Sequence, residues 1–259
     1  MRIAIITQAE PFYLPTALVD FCRVRGKDIV AIIVLPAFNE TLTQTAYRLY
    51  EFYGPFDFFR LVARLLRVKF ADLLQKINLL RKPYSILGVG NRFRIPVYYI
   101  AQINNPEAIK LLRTTINPDL IVSIAASQIL EREILSIPRH GCINLHSAPL
   151  PRYQGMMPNF WAMVGGETET AVTVHYMVEE LDAGDIIIQL PVPINPPDSL
   201  HDLMVRAKQI GVQALLTAVA QIENGKVNRQ KMDLIKATYH HFPTGADAKA
   251  LRKMGHALL

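Results

Sequence analysis

The chain has 259 residues, 51% of them hydrophobic, and a formal charge of +6 at pH 7. That length holds one large domain, or a domain of about 200 residues with an appendage, and the apolar content is ample for a core. Two cysteines, Cys22 and Cys142, exclude a disulfide framework and cysteine-based metal spacing, and no uncharged apolar run approaches the ~18 residues of a membrane span.

The positive charge suits an anionic small substrate, nucleic acid or an acidic membrane surface, and charge alone does not choose among them. Met1 to Ile6 is too short and meets polar residues too early for a signal peptide, so a reducing, cytoplasmic location is expected. Arg2 to Thr7 is an apolar run suited to a buried parallel strand, followed by a helix from Pro15 to Arg25 and a second such strand from Ile29 to Leu35. The loop after the first strand, Gln8-Ala9-Glu10-Pro11-Phe12, lacks the Gly-x-Gly-x-x-Gly that lets backbone approach a pyrophosphate, which argues against dinucleotide binding.

Residues 40–82 read as helical, aromatic and basic. Within 56–82, Phe58, Leu61, Val62, Leu65, Leu66 and Phe70 supply an apolar face, while Arg60, Arg64 and Arg67 recur at helical spacing on another. This helix is expected to pack on protein, either its own domain or the second copy of a homodimer. Peripheral membrane contact is the less favoured alternative. Gly88-Val89-Gly90-Asn91 reads as a turn and Pro96 to Ile100 as a strand. Asn105-Pro106-Glu107 opens a helix with Asn as cap, Pro at the first position and an acid in the first turn.

Asp119 to Ala125 is the next strand and runs through Ala126-Ser127-Gln128-Ile129-Leu130 into a helix. Asn144 and His146 stand two apart after the apolar Gly141-Cys142-Ile143, so on a strand both point to one side and can face one reacting group. Such a pair on a half-buried strand is also ordinary structure. Ser147 to Gly155, with Pro149 and Pro151, must form a shaped loop, and Met157 to Ala162 opens a short helix with Pro158 in its first turn. Thr170 to Val178 is a β-branched strand carrying His175, read first as a satisfied core histidine. The acidic turn Glu179-Glu180-Leu181-Asp182 follows, then a strand from Asp185 to Gln189 and a helix from Asp198 to Glu223, capped by Asp198 and stopped by Asn224-Gly225.

From Asn144 to Asp182 these residues resemble the folate-dependent formyltransferases, which include glycinamide ribonucleotide transformylase, methionyl-tRNA formyltransferase and the amino-sugar N-formyltransferases. The shared pattern is Asn-x-His, a proline loop ending in Gly, and an Asp 36 positions after the His, as between His146 and Asp182. Ala148-Pro149 departs from the usual Ser-Leu, and Gln154 stands where several relatives carry Arg. The resemblance implies an α/β fold with a Rossmann-like, doubly wound, mostly parallel sheet. A catalytic domain would span 1–225, with a helical insertion over about 40–88, and a short C-terminal extension would occupy 226–259.

The activity implied is formyl transfer from N10-formyltetrahydrofolate to a primary amine. Asn144 would donate to the developing oxyanion, His146 would stabilise charge or relay a proton, and Asp182 would raise the His146 pKa by proximity. Gln128, Ile129 and Leu130, largely through backbone, and Val178, Glu179 and Glu180 would line the folate site. No metal is expected, because the acids near Asp182 lack the alternation with Gly of a Ca²⁺ loop and no Cys/His cluster supports zinc. Tyr153, Phe160 and Trp161 offer flat surfaces for a sugar or base, and Arg152 a contact for phosphates. The Pro158-Asn159-Phe160-Trp161 run, and a C-terminal segment too short for the extra domain of methionyl-tRNA formyltransferases, point to a small-molecule amine, a nucleotide-linked amino sugar, and away from nucleic acid. Formyltetrahydrofolate hydrolysis, glycinamide ribonucleotide and methionyl-tRNA are the alternatives.

Overall fold

The structure, a computed structural model, describes residues 1–37, 41–77 and 79–259; Glu40, where the helical insertion was expected to begin, lies outside them. Seven strands form the main sheet: β1 (Ile3–Gln8), β2 (Ile29–Leu35), β3 (Val97–Tyr99), β4 (Leu120–Ile124), β5 (Cys142–His146), β7 (Glu169–Tyr176) and β8 (Ile186–Pro193), in the order β3-β2-β1-β4-β5-β7-β8. The first five are mutually parallel, and β7 and β8 run antiparallel at one side. A parallel strand is covered on both faces, so its sequence is a continuous apolar run. In β1, Ile3 and Ile5 enter one core layer while Ala4 and Ile6 enter the other. At the sheet edge β8 accommodates Pro191 and Pro193, where a missing ladder donor costs least.

Helices α1 (Leu14–Arg25), α3 (Ile86–Phe93) and α7 (Leu200–Glu223) cover one face. The other is covered by α4 (Pro106–Lys110), which Asn105 caps as expected and which continues as a π-helical turn over Leu111–Ile116, and by the short α5 (Arg132–Leu135). Two helix starts differ from expectation. Ser199, not Asp198, caps α7, in a reciprocal box with Asp202. Asp198 is instead buried against Arg206, with contacts of 2.6 and 2.9 Å. At α1 no side chain caps from the N-cap position. The Glu10 carboxylate reaches in and accepts from the N–H groups of Phe12, Tyr13 and Leu14 at 2.6–3.0 Å. An anion of the protein itself thus occupies the helix end where a dinucleotide fold receives phosphate.

The glycine pair expected in a turn lies inside α3, which Ser85 caps. A Cβ on Gly90 would meet Val97 Cγ2 at 2.3 Å and the Ile95 carbonyl at 2.8 Å, so this glycine permits close approach of helix to strand. The long α2 (Leu42–Lys76) is broken at Gly54, whose φ of 72° departs from helix, and Pro55 starts its second half. Phe52 roots it in the core beside Phe160 and Phe242, and Arg252 of α8 (Gly245–Lys253) holds Asp57 at 3.1 Å. Residues 226–259 pack back on the sheet unit. Ala248, Leu251 and Leu258 join the larger core, the carbonyls of Ala257 and Leu258 accept from Leu200 and His201 in the first turn of α7, and β9 (Tyr239–His240) pairs with β6 (Gln154–Gly155).

Gly90→Ala is expected to destabilise the fold by about 1–3 kcal/mol through overpacking between α3 and β3. Urea unfolding checks this; an unchanged midpoint would mean that α3 can move off β3 at no cost.

Candidate active site

A cleft of about 500 Å³ opens beyond the carboxyl ends of β1, β4 and β5, with walls from the loops after β4 and β5, α6 (Pro158–Val164), the turn after β7, and α7. Asn144, His146, Asp182 and His175 all line it. The antiparallel register sets Asn144 opposite His175 and His146 opposite Thr173, and directly opposed residues share one sheet face. His175 was read from sequence first as a satisfied core residue, with a contact to the folate region as the less favoured alternative. It is buried, but its Nε2 lies 3.2 Å from Asn144 Nδ2 and 3.6 Å from Asp182 Oδ1. The missed signal was the strand pairing, which single-strand periodicity does not contain.

His146 is buried, and its Nε2–H donates to the Tyr153 carbonyl at 2.8 Å. That bond fixes the tautomer, leaving Nδ1 free to accept a proton, 3.6 Å from Asp182 Oδ2. The expectation that Asp182 raises the His146 pKa gives only part of the balance. Burial pulls it down and outweighs Asp182 and the Tyr153 carbonyl, so the net direction is below the ordinary value. For Asp182, burial pushes the pKa up. The contact with His175, the fields of both imidazoles and the Gly155 N–H together prevail, holding the pKa at about 2. The carboxylate is therefore ionised across the neutral range.

Asp182 sits in a left-handed backbone conformation, φ 50°, as do Ala125, Tyr153 and Met157 around the same cleft. Such residues cost about 1–2 kcal/mol each unless the surroundings hold them. Here Gln154 Nε2 donates to the Asp182 carbonyl at 3.1 Å and the Gly155 N–H to Oδ2 at 3.2 Å. Gly155 has φ 92° and lies against the His240 carbonyl, where a Cβ would meet it at 2.4 Å. The Asn144 amide nitrogen lies 3.2 Å from His175 Nε2 and donates, at 3.4 Å, to Asp182 Oδ1.

Gln128, Ile129 and Leu130 line one end of the cleft together with Val178 and Glu180. The Gln128 side chain is occupied elsewhere, accepting from Ile103 N at 2.8 Å and donating to the Ala101 carbonyl at 2.7 Å. Asn104, which sequence reasoning passed over, braces the loop by donating to the Ile129 carbonyl and accepting from Glu131 N. Glu179 stands outside the lining, exposed and 3.9 Å from Arg132. At the other end lie Glu10, Tyr13, Leu200, Met204 and Lys208, with Tyr239 and Phe242 closing the wall. Burial pulls the Lys208 ammonium below its ordinary pKa, and Glu10 acts in the opposite direction.

Arg152 is paired with Glu167 at 2.7 Å and lies outside the lining. Trp161 stacks on His240 and donates to the His241 carbonyl; of the three aromatics expected near a ligand, only Phe160 lines the cleft. Among the described residues no group of His, Cys, Asp and Glu side chains has a metal-holding arrangement.

Residues 91–219 match the family model described as formyl transferase. The methionyl-tRNA formyltransferase of Geobacter sulfurreducens is 36% identical over 151 residues, which are 58% of this chain and 47% of that protein. The chain thus spans about half the length of the curated relatives it matches. Among solved structures, the N-formyltransferase from Helicobacter canadensis in complex with folinic acid and dTDP-3-aminofucose aligns with a TM-score of 0.58 at 18% identity, covering 93% of this chain and 71% of that one. Phosphoribosylglycinamide formyltransferase from Anaplasma phagocytophilum aligns at 0.61 and 19%, covering 88% and 89%. At these identities the structural likeness concerns the fold.

The site ties stability to pH. His146 has a native pKa below its unfolded value near 6.5, so as pH falls below that value the unfolded chain binds more protons and stability drops. Asp182, ordinarily at 3.8 and here at about 2, adds about 2 kcal/mol that is present above pH ~4 and lost as pH falls toward 2. Thermal melts across this range should decline less steeply between about pH 7 and 5 in His146→Gln, and less steeply below about pH 4 in Asp182→Asn. Parallel pH profiles in variant and parent would remove the assignment.

Proposed function

Since its residues 91–219 make this chain a member of the formyl transferase family, we propose that it transfers a formyl group from N10-formyltetrahydrofolate to the primary amine of a small acceptor, a nucleotide-linked amino sugar. The observation that carries the reading is the convergence of Asn144, His146 and Asp182 in one cleft with differently walled ends. The end formed by 126–130 suits the folate ring system. With the Gln128 side chain tied to Ala101 and Ile103, the polar groups left to that end are largely backbone ones, which match the edge of a flat heterocycle. The end formed by Glu10, Tyr13 and Lys208 suits the acceptor, where a cation of lowered pKa meets an anionic group and takes the role sequence gave to Arg152.

Bound there, the donor supplies a formyl carbon open to attack by an amine. Asn144 gives up its long contact with Asp182 and donates to the formyl oxygen as negative charge grows on it, a single donor worth ~3 kcal/mol. His146 Nδ1, kept unprotonated by burial, takes the amine proton and returns it to the departing nitrogen. Asp182 stabilises the imidazolium in between at a distance of 3.6 Å, and His175 keeps the carboxylate oriented. The nearby Tyr153 carbonyl prevents His146 from presenting the other nitrogen.

The methionyl-tRNA acceptor is a second reading, favoured by the names and the 36% identity of relatives such as that of Geobacter sulfurreducens. The sugar reading rests on the Pro158-Asn159-Phe160-Trp161 run and on the ligands named for the Helicobacter canadensis protein. The purified chain is to be supplied with N10-formyltetrahydrofolate and, in turn, amino-sugar nucleotides, glycinamide ribonucleotide, methionyl-tRNA or no acceptor. Formylation of an amino-sugar nucleotide is expected, with turnover down about 100- to 1,000-fold in Asn144→Ala, His146→Ala and Asp182→Asn at unchanged fold. Lys208→Met should raise the acceptor KM more than it lowers kcat. Efficient formylation of methionyl-tRNA alone would replace the acceptor, and formate release without any acceptor would make the enzyme a hydrolase.

A further inference from the structure

The second half of α2 leaves an apolar seam uncovered. Phe56, Phe59, Leu66, Phe70, Leu73 and Ile77 are each 54–76% exposed. With Ala63 they recur at alternating intervals of three and four, which keeps them on one side of a helix. Phe52 is the one buried residue among those described in α2, and it lies before the break at Gly54. Contiguous exposed apolar surface of this kind marks a contact with a partner or a membrane.

The opposite side of the same helix is committed. Arg64 contacts His201 Nε2 at 3.0 Å and lies over the Phe12 ring, Asp57 holds Arg252 at 3.1 Å, and Asp72 is 16% exposed. The three arginines therefore do not form one stripe, because Arg64 faces inward. With those anchors in place the helix packs on its own domain through this side, where Phe58, Leu61, Val62 and Leu65 are half-buried, and leaves the seam, with Leu66 and Phe70, exposed.

Charge identifies what covers it. Helical spacing sets Arg60 and Arg67 along one border of the seam and Lys69 and Lys76 along the other. Both acids of the stretch lie on the inward side, Asp57 pairing with Arg60 at 3.1 Å and Asp72 with Lys76 at 3.3 Å, and no described carboxylate is within ion-pair distance of Arg67 or Lys69. Residues 56–82 hold seven basic side chains against two acidic ones. Against a second copy, the flanks of a parallel pair meet across the seam and those of an antiparallel pair meet like with like. Either way, these four positions place cation against cation. A surface of anionic headgroups over hydrocarbon answers both the cationic borders and the phenylalanine-rich centre.

We infer that residues 55–76 form a peripheral membrane-binding helix that lies in the interface of an anionic bilayer, seam downward, with Arg60, Arg67, Lys69 and Lys76 at headgroup level. No helix among the described residues is long and apolar enough to cross a membrane, so the attachment is reversible and salt-sensitive.

The test is flotation of the full chain with phosphatidylcholine vesicles, with and without phosphatidylglycerol, at physiological salt. The protein is expected to float with the phosphatidylglycerol vesicles and much less with neutral ones. Two variants, Phe59→Ser/Leu66→Ser/Phe70→Ser and Arg60→Glu/Arg67→Glu/Lys69→Glu, should each lower the bound fraction at least tenfold. Unchanged melting and formyl transfer in solution would show each variant to be folded. Failure of the parent to float, or equal flotation of parent and both folded variants, overturns the proposal. So does light scattering that finds a dimer which the serine variant splits while neither protein binds vesicles, since the seam is then a protein interface.

Discussion

Placing the Asp182 carboxylate under cover, between two imidazoles, is the constraint on which the site depends. A buried carboxylate without partners costs several kcal/mol, and here the Asn144 amide and the Gly155 N–H donate to it while the His175 and His146 rings each stand 3.6 Å away. These four partners come from three separate pieces of chain. Asn144 and His146 ride on β5, His175 on β7, and Gly155 on a two-residue strand that pairs with Tyr239–His240. The left-handed backbone at Asp182 is tolerated because these bonds over-determine it. The same burial that makes the carboxylate dependent on its neighbours keeps His146 neutral and able to accept a proton.

Much of the frame was legible in sequence because it rests on local chemistry. The runs of β1, β2 and β4 announce strands covered on both faces, Asn105-Pro106-Glu107 announces a helix start, and Asn144-Leu145-His146 announces two side chains on one face. What was not legible is set by distant contacts. Gly90 reads as a turn until Val97 is seen against it. Asp198 reads as a cap, but Arg206 takes it and Ser199 caps instead. His175 joins the site through a register that only the paired strands define. The lowered pKa of His146 follows from burial, which outweighs the neighbouring charge that spacing alone brings to mind.

The insertion shows the same division. Its helical period and cations were readable, and they suggested a helix with its arginines on one stripe. Three-dimensional anchoring divides those arginines. Arg64 reaches His201, which in turn contacts the Tyr13 hydroxyl at 2.8 Å, and Tyr13 lines the cleft. Arg60 and Arg67 remain outside with the seam. A segment that adds nothing to the sheet is therefore connected to the Tyr13 wall of the cleft by two contacts.

The pairing of β5 with β7 also bears on how such a site can be inherited or recombined. Side chains alternate along each strand, so a slip by one residue would set Val174 or Tyr176 opposite Asn144 in place of His175. The geometry of the cleft therefore depends on parity across the block from Cys142 to Asp182. A chimera that exchanges the whole block between relatives keeps the imidazole–carboxylate contacts in phase. One that crosses over inside it and changes the spacing by a single residue turns the same side chains toward opposite faces of the sheet.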